Sequence, residues 1–182
     1  MVAIDRFRER LDLLLSEAGY QSVSSSEQHL DFENREKEIL IRMGVDVSRA
    51  NEFVFFIVRR GTEFSIDDLI EFYGVDRKDI PISASNEEVV SVLLDFLTNL
   101  LMYDNQTLLR GDESAYKKLE VIGNRRAEDY EARIKMDRLL VAAEKAWVVK
   151  DYKEVTYLLS SHTHLLPRYW KDRLKYAAKH MN

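Results

Sequence analysis

The spacing of apolar and polar positions changes along the chain, and each change marks an element. Over residues 3–18, Ile4, Phe7, Leu11, Leu14 and Ala18 recur at three- and four-residue steps, which stacks them on one helical face. Gly19 follows as a left-handed C-terminal cap. "QSVSSSE" (21–27) reads as a polar linker. "QHLDFEN" (28–34) reads as a short strand, with Leu30 and Phe32 on one face and Asp31 and Glu33 on the other. In "EILIRMGVDV" (38–47), Ile39, Ile41, Met43, Val45 and Val47 alternate with Leu40, Arg42, Gly44 and Asp46. That is the period of a strand with one buried face. "EFVFFIVRR" (52–60) differs, because Phe53, Phe55 and Ile57 point one way while Val54, Phe56 and Val58 point the other. Two apolar faces predict an inner strand covered on both sides. The first face is expected to meet a central helix. The second is expected to lie under C-terminal helices or under a partner molecule, since an uncovered apolar patch marks an interaction site.

After Gly61 the period becomes helical. Ser65 is a candidate N-cap, Asp67 and Asp68 fall in the first turn, and Gly74 ends the helix. Residues 75–85 form an irregular connection long enough to be a functional loop. Ser85 and Glu88 suggest a capping box before "EEVVSVLLDFLTNLLMY", which is apolar nearly all round and predicts a central helix at 86–103. Further helices are expected at about 113–122, from Arg125 after a pause at Gly123 and Asn124, at about 152–161, and at about 168–180 behind Pro167.

The expected fold is therefore α+β. An N-terminal helix and a small three-stranded antiparallel sheet occupy an α+β region, 1–105, with two helices. A helical region, 106–182, ends in a hairpin, and the two regions are expected to form one unit.

Composition narrows the function classes. The 182 residues contain no cysteine, which excludes disulfides, thiolate metal sites and cysteine nucleophiles. Twenty-seven basic and 32 acidic residues, well mixed, give a net charge of −5 and no basic footprint for nucleic acid. An acidic chain is instead suited to a basic protein partner. No run is long and apolar enough for a membrane span, and the first helix is too charged for a secretory leader, so a cytoplasmic location is expected.

Candidate chemistry is sparse. Asp67, Asp68 and Glu71, with Asp76 and Asp79 nearby, form an acidic group. Such a group can serve dipole complementarity at a helix start, a partner-facing patch, or metal and acid–base work. His162 and His164 resemble a metal pair only if their segment is extended, and no third ligand lies close in sequence. No phosphate-cradling glycine loop and no nucleophile motif is present, and no cofactor is expected. Arg59–Arg60 and Arg125–Arg126 are isolated pairs, and the second, with Glu128, Asp129 and Glu131 close by, reads as salt-bridged surface.

Two resemblances sharpen this picture. Leu139, Ala142, Ala143 and Ala146, the Asp151–Tyr152 turn, Val155, Leu159 and Pro167 resemble a single tetratricopeptide-like helix pair; an ordinary helical hairpin is the alternative. The order of elements and "VRRGTEFSIDDLIEF" (58–72) resemble the small acidic immunity proteins of polymorphic toxin systems. That likeness implies a bacterial, non-catalytic protein that occludes a basic toxin domain stoichiometrically, with Asp67, Asp68, Glu71, Asp76 and Asp79 facing the partner. Val54, Phe56 and Val58 are the candidate apolar interface. A helical scaffold built on the C-terminal hairpin and an enzyme with a carboxylate–histidine site assembled by the fold are the alternatives.

Overall fold

The structure is a computed structural model that describes residues 2–26, 28–46, 48, 52–76, 78, 80 and 87–181. The alternation of apolar residues at 39–45 and 53–57 produces the two central strands of an antiparallel sheet. Its five strands are β1 (Gln21–Ser25), β2 (His29–Asn34), β3 (Ile39–Asp46), β4 (Glu52–Arg59) and β5 (Thr62–Ser65), ordered β1-β2-β3-β4-β5. Among the described residues, seven further segments are helical. They are α1 (Val2–Glu17), α2 (Ile66–Tyr73), α3 (Glu87–Gln106), α4 (Glu113–Val148), α5 (Tyr152–Leu159), a 3-10 turn at Ser160–His162, and α6 (Arg168–Lys179).

The expected α+β class holds, but the sheet has five strands where three were expected. Every residue of β1 is exposed, so it carries no apolar alternation and exists through backbone pairing with β2. A register shift between Ser22 and Ser24 interrupts that pairing. A bulge of this kind also blunts a sheet edge against pairing with another chain. β5 follows a two-residue turn in which Arg60 and Gly61 both take positive φ (49° and 81°), as a tight right-twisted hairpin requires. The charged "RRG" hides that hairpin from a reading based on hydrophobicity.

Two compact units divide the chain, residues 1–124 and 125–182. The expected boundary at 105/106 lies inside the first. α4 continues through Gly123, where a break was expected. A single interior glycine costs only about 1 kcal/mol relative to alanine, too little to end a helix.

In the first unit, one sheet face is the core wall. Across the strands, Leu30, Met43 and Phe55 form one row, and Phe32, Ile41, Ile57 and Phe64 the next. All are buried. Phe7, Leu11 and Leu15 of α1 join the same core, and Phe7 stacks on Phe53 with ring centroids 5.1 Å apart. Leu93, Leu97 and Leu100 of α3 and Ala115, Tyr116 and Leu119 of α4 complete it. Ser85, the expected N-cap of the central helix, lies outside the described residues.

An ion pair joins the core to its rim: Arg59 is buried and its partner Glu113 is exposed. Arg59, next in the inward series after Ile57, is 9% exposed. Its Nη2 donates to Glu113 Oε2 at 2.9 Å, and its guanidinium lies 4.3 Å from the Tyr116 ring centroid. Tyr20 and Tyr116 donate to the carbonyls of Leu109 and Leu108, at 3.0 and 3.1 Å. Burial raises both phenols well above the usual tyrosine range, so they stay protonated donors. Lys37 Nζ donates to the carbonyls of Ala18 and Leu109.

The second unit has its own core. Ala143 and Ala146 of α4, Val155 and Leu159 of α5, and Trp170, Leu174 and Ala177 of α6 are buried together with Leu166. Asp151 caps α5 by accepting from Glu154 N at 3.0 Å. Arg173 lies 5.0 Å from the ring centroids of Trp147 and Trp170 and 5.4 Å from that of Tyr169, and it pairs with Glu144.

Two stability predictions follow from the first unit. A Cβ on Gly44 would meet the Gln28 carbonyl oxygen at 2.6 Å, and that oxygen already accepts from Val45 N at 2.8 Å. Backbone held by its own hydrogen bond cannot retreat freely, so Gly44→Ala is expected to cost about 1–3 kcal/mol. Urea unfolding reads this as a lower midpoint at constant slope, and an unchanged midpoint contradicts it. For the ion pair, Glu113→Ala leaves a buried guanidinium short of an acceptor and is expected to cost about 1–3 kcal/mol. Adding Arg59→Met removes the stranded charge, so the double variant should be more stable than Glu113→Ala alone. A double variant that is less stable instead would show that Arg59 contributes chiefly through its packing on Tyr116.

Candidate functional site

The period of two that aims Phe53, Phe55, Ile57 and Arg59 inward sends Val54, Phe56 and Val58 to the opposite face of the sheet. Register then fixes their neighbours. Val58 stands across from Leu40, Phe56 across from Arg42, and Val54 across from Gly44. Leu40, Val54, Phe56 and Val58 are all half-buried, and none belongs to the core of either unit. These four side chains form an apolar stripe along the middle of the sheet's outer face.

Polar residues frame it. Arg42 donates twice to Asp31, Nε to Oδ1 and Nη2 to Oδ2, each at 3.1 Å. Asp31 is only 6% exposed, while the Arg42 side chain is 44% exposed. The hydrogen bonds it donates to Asp31, and then the charge of Asp31, push the Arg42 pKa further up. The pair is thus a neutral, rigid plate beside Phe56 rather than a free cation. Glu33 pairs with Leu40, Glu63 with Val58, and Asp46 with Glu52, which places carboxylates around the same face. Glu33 is bridged by Arg35 at 2.9 Å, and Asp46 Oδ1 accepts from Ser48. Towards β1, His29 Nδ1 lies 2.7 Å from Ser26 Oγ.

The acidic group expected after Gly61 is distributed differently. Asp68 is buried at the start of α2. Its Oδ2 accepts from Ser65 N and Ser65 Oγ, both at 2.7 Å, and its own N–H donates to Ser65 Oγ at 3.4 Å. This is a capping box in which Asp takes the place usual for Glu. Its carboxylate therefore serves the helix start. Asp67 and Glu71 are half-buried on the same helix. Asp76 lies beyond the left-handed Gly74 cap, is exposed, and accepts from Lys78 N at 3.0 Å. Asp79 lies outside the described residues, as does most of the 75–85 connection.

His162 closes the short 3-10 turn, with its Nδ1 2.9 Å from Ser161 Oγ, and His164 is exposed. Among the described residues, no group of three or more His, Asp or Glu is placed to hold a metal ion. No described helix is long and apolar enough to cross a membrane. His180, on the second unit, stacks on Tyr176 with centroids 4.0 Å apart.

The reading from sequence named Val54, Phe56 and Val58 but not Leu40, Arg42 or Asp31 as their neighbours. The alternation places Leu40 and Arg42 on the polar side of β3; only register shows that this side continues the outer side of β4. Arg59 reads from sequence only as half of an isolated arginine pair; continuing the series 53, 55, 57 to 59 places it inward.

The fold and this face define an α+β protein with a half-apolar, acid-framed sheet surface. Comparison with known protein families, curated proteins and solved structures finds no match.

A substitution test separates capping from surface roles in the acidic group. Asp68→Ala is expected to lower stability by about 0.5–2 kcal/mol through loss of the cap. Asp76→Ala should change it by less than about 0.5 kcal/mol. Thermal unfolding monitored by circular dichroism makes the comparison, and equal effects at the two positions contradict the assignment.

Proposed function

We propose that this is a non-catalytic protein-binding protein whose partner docks on the outer face of the sheet. The observation that carries the reading is the stripe of Leu40, Val54, Phe56 and Val58, apolar side chains placed outside both cores on a face framed by carboxylates. Apolar side chains left outside a core at the centre of a polar frame have the anatomy of an interface, an apolar centre inside a polar rim. The frame selects the partner's chemistry. Asp46, Glu52 and Glu63 favour a basic rim, while Glu33, paired with Arg35, and Arg42, paired with Asp31, are charge-balanced and do not oppose it.

In its sharper form the proposal is a toxin-neutralising immunity protein, acting by stoichiometric occlusion of a basic toxin domain. Its support is the acidic charge, the likeness of residues 58–72 to such proteins, and a binding face that needs no catalytic group. Asp67, Glu71 and Asp76 extend the acidic surface available to such a partner.

A scaffold role for the second unit is the second reading. It is favoured by Val148, Val149 and Tyr157, each more than 70% exposed around the end of α4 and on α5. Removing residues 125–182 distinguishes the two: a remainder that stays folded and keeps its partner places the interface on the first unit.

The direct test co-expresses the chain with the product of the adjacent reading frame. The expected outcome is a one-to-one complex and relief of any growth inhibition that product causes. Phe56→Asp is expected to weaken the complex by about tenfold or more, the cost of a central interface residue. Glu63→Lys, on the exposed rim, is expected mainly to slow association and reduce its salt dependence. A complex indifferent to both variants, each shown to be folded, rejects the sheet face. A toxic neighbour that the chain neither binds nor neutralises rejects the immunity reading.

A further inference from the structure

A second feature of the first unit lies apart from the strands. The C-terminal end of α2, the non-helical end of α3 and the early turns of α4 border an open cavity of about 710 Å³. Phe72, Tyr73 and Tyr103 supply aromatic wall, and Val121 and Ile122 aliphatic wall. Tyr73 is edge-on to both other rings, to Phe72 at 4.8 Å and to Tyr103 at 4.7 Å. Lys117, Lys118 and Asp104 contribute the charges.

Three observations indicate that this cavity is built for a ligand of a particular kind. The lining is mostly apolar, so a lone inorganic ion would gain little there, whereas a planar or branched apolar body would meet three rings and two aliphatic side chains. The lysines belong to adjacent helical stripes, Lys117 with Val121 and Lys118 with Ile122, so each ammonium stands one turn from an apolar contact. Among the described residues neither ammonium forms a hydrogen bond or an ion pair within 4.0 Å, and Lys118 lies within the longer-range attraction of Asp112. Against the single carboxylate of Asp104, the local balance is positive in a chain whose total is negative.

The third observation concerns strain and an unmet donor. Asp104, Asn105 and Gln106 all take positive φ, at 46°, 56° and 62°. Three successive non-glycine residues in the left-handed region are costly, and such strain persists where the surroundings impose it. Here it ends the helical run of α3 and sets Tyr103 and Asp104 in the cavity wall. Behind Tyr103, the Tyr73 hydroxyl is sealed from solvent with no hydrogen-bond partner. Burial, then the charge of Asp104, holds that phenol well above its usual range, so it remains a proton donor.

We propose that this cavity binds a small amphiphilic anion, an aromatic or branched apolar body bearing one carboxylate, with the body against Phe72, Tyr73 and Tyr103 and the carboxylate on Lys117 and Lys118. The site uses different residues from the sheet face and stands or falls separately from the protein-binding reading.

The test uses a matched pair of probes, 2-naphthoate and 2-naphthylmethylammonium, of similar shape and opposite charge. Each is titrated into the isotope-labelled full chain and followed by amide chemical shifts. The expected result is saturable binding of naphthoate at or below about millimolar concentration, with the shifts centred on Tyr73, Tyr103, Lys117 and Val121. The cation should bind at least about tenfold more weakly, the worth of one hydrogen bond to a charged group. Charge reversal at the exposed lysines, Lys117→Glu with Lys118→Glu, should invert the order of the two probes. Tyr103→Ala, at an exposed ring, should weaken naphthoate while leaving the remaining amide spectrum in place. Equal binding of the two probes, an order unchanged by charge reversal, shifts centred elsewhere, or no saturable binding at millimolar probe each overturns the proposal.

Discussion

The guanidinium of Arg59 is the point on which the first unit's arrangement depends. It sits at the end of the central strand β4, inside the core, and reaches Glu113 in the first turn of α4. A buried charge is tolerated only when paired, so the strand end and the helix start must lie close together. The linker between α3 and α4 is fixed by the same cluster, because Tyr20, Tyr116 and Lys37 all bond to the carbonyls of Leu108 or Leu109. Backbone carbonyls in a buried linker need such partners, and here they come from α1's exit, the β2–β3 turn and α4. The positions of Tyr103 before this linker and of Lys117 after it follow from that closure.

A single strand divides the work between the two faces of the sheet. The inward series of β4 carries Phe53, Phe55, Ile57 and Arg59, and all four are buried. The outward series carries Val54, Phe56 and Val58, equally apolar but only half-buried. Stability accounts for the first series. It does not require the second, since an outer sheet face in a protein of this size is served by polar residues, as at Glu33 and Glu63. The Asp31–Arg42 pair makes the contrast sharper. Two charges placed beside Phe56 cancel each other through a bidentate bond, leaving shape rather than charge at the centre of the face.

Much of this fold was legible in the sequence, and the gaps have physical causes. Alternation at 39–45 and the change of period after Gly61 identified the α+β class, because strands with one buried face and amphipathic helices write their burial into spacing. β1 wrote nothing, since "QSVSS" is exposed on both faces and is held chiefly by backbone pairing with β2. β5 was masked because its turn is made by Arg60 and Gly61, charged and unpatterned. The candidate sites were less legible. Val54, Phe56 and Val58 were visible as a second apolar series, yet their neighbours Leu40, Arg42 and Asp31 come from register, which side-chain period does not report. The ring cluster of Phe72, Tyr73 and Tyr103 joins the ends of two helices separated by the 75–86 segment, and no local spacing links them.

Net charge places the two surfaces in different electrostatic regimes. A chain of net charge −5 attracts a basic partner from beyond contact distance, so the acid-framed sheet face gains in association rate as well as in complementarity. The same field opposes a small anion approaching the cavity. At physiological ionic strength that opposition is screened over roughly 8 Å, and inside that range Lys117 and Lys118 dominate. An anion without an apolar body would have only two solvent-exposed ammonium groups to hold it, and exposed ion pairs contribute at most about 1 kcal/mol each. Burial of apolar surface against three rings contributes about 25 cal/mol per Å², so the body must supply most of the affinity and the charge must supply the choice between ligands. The combination of rings and exposed lysines is therefore selective for amphiphiles over simple ions.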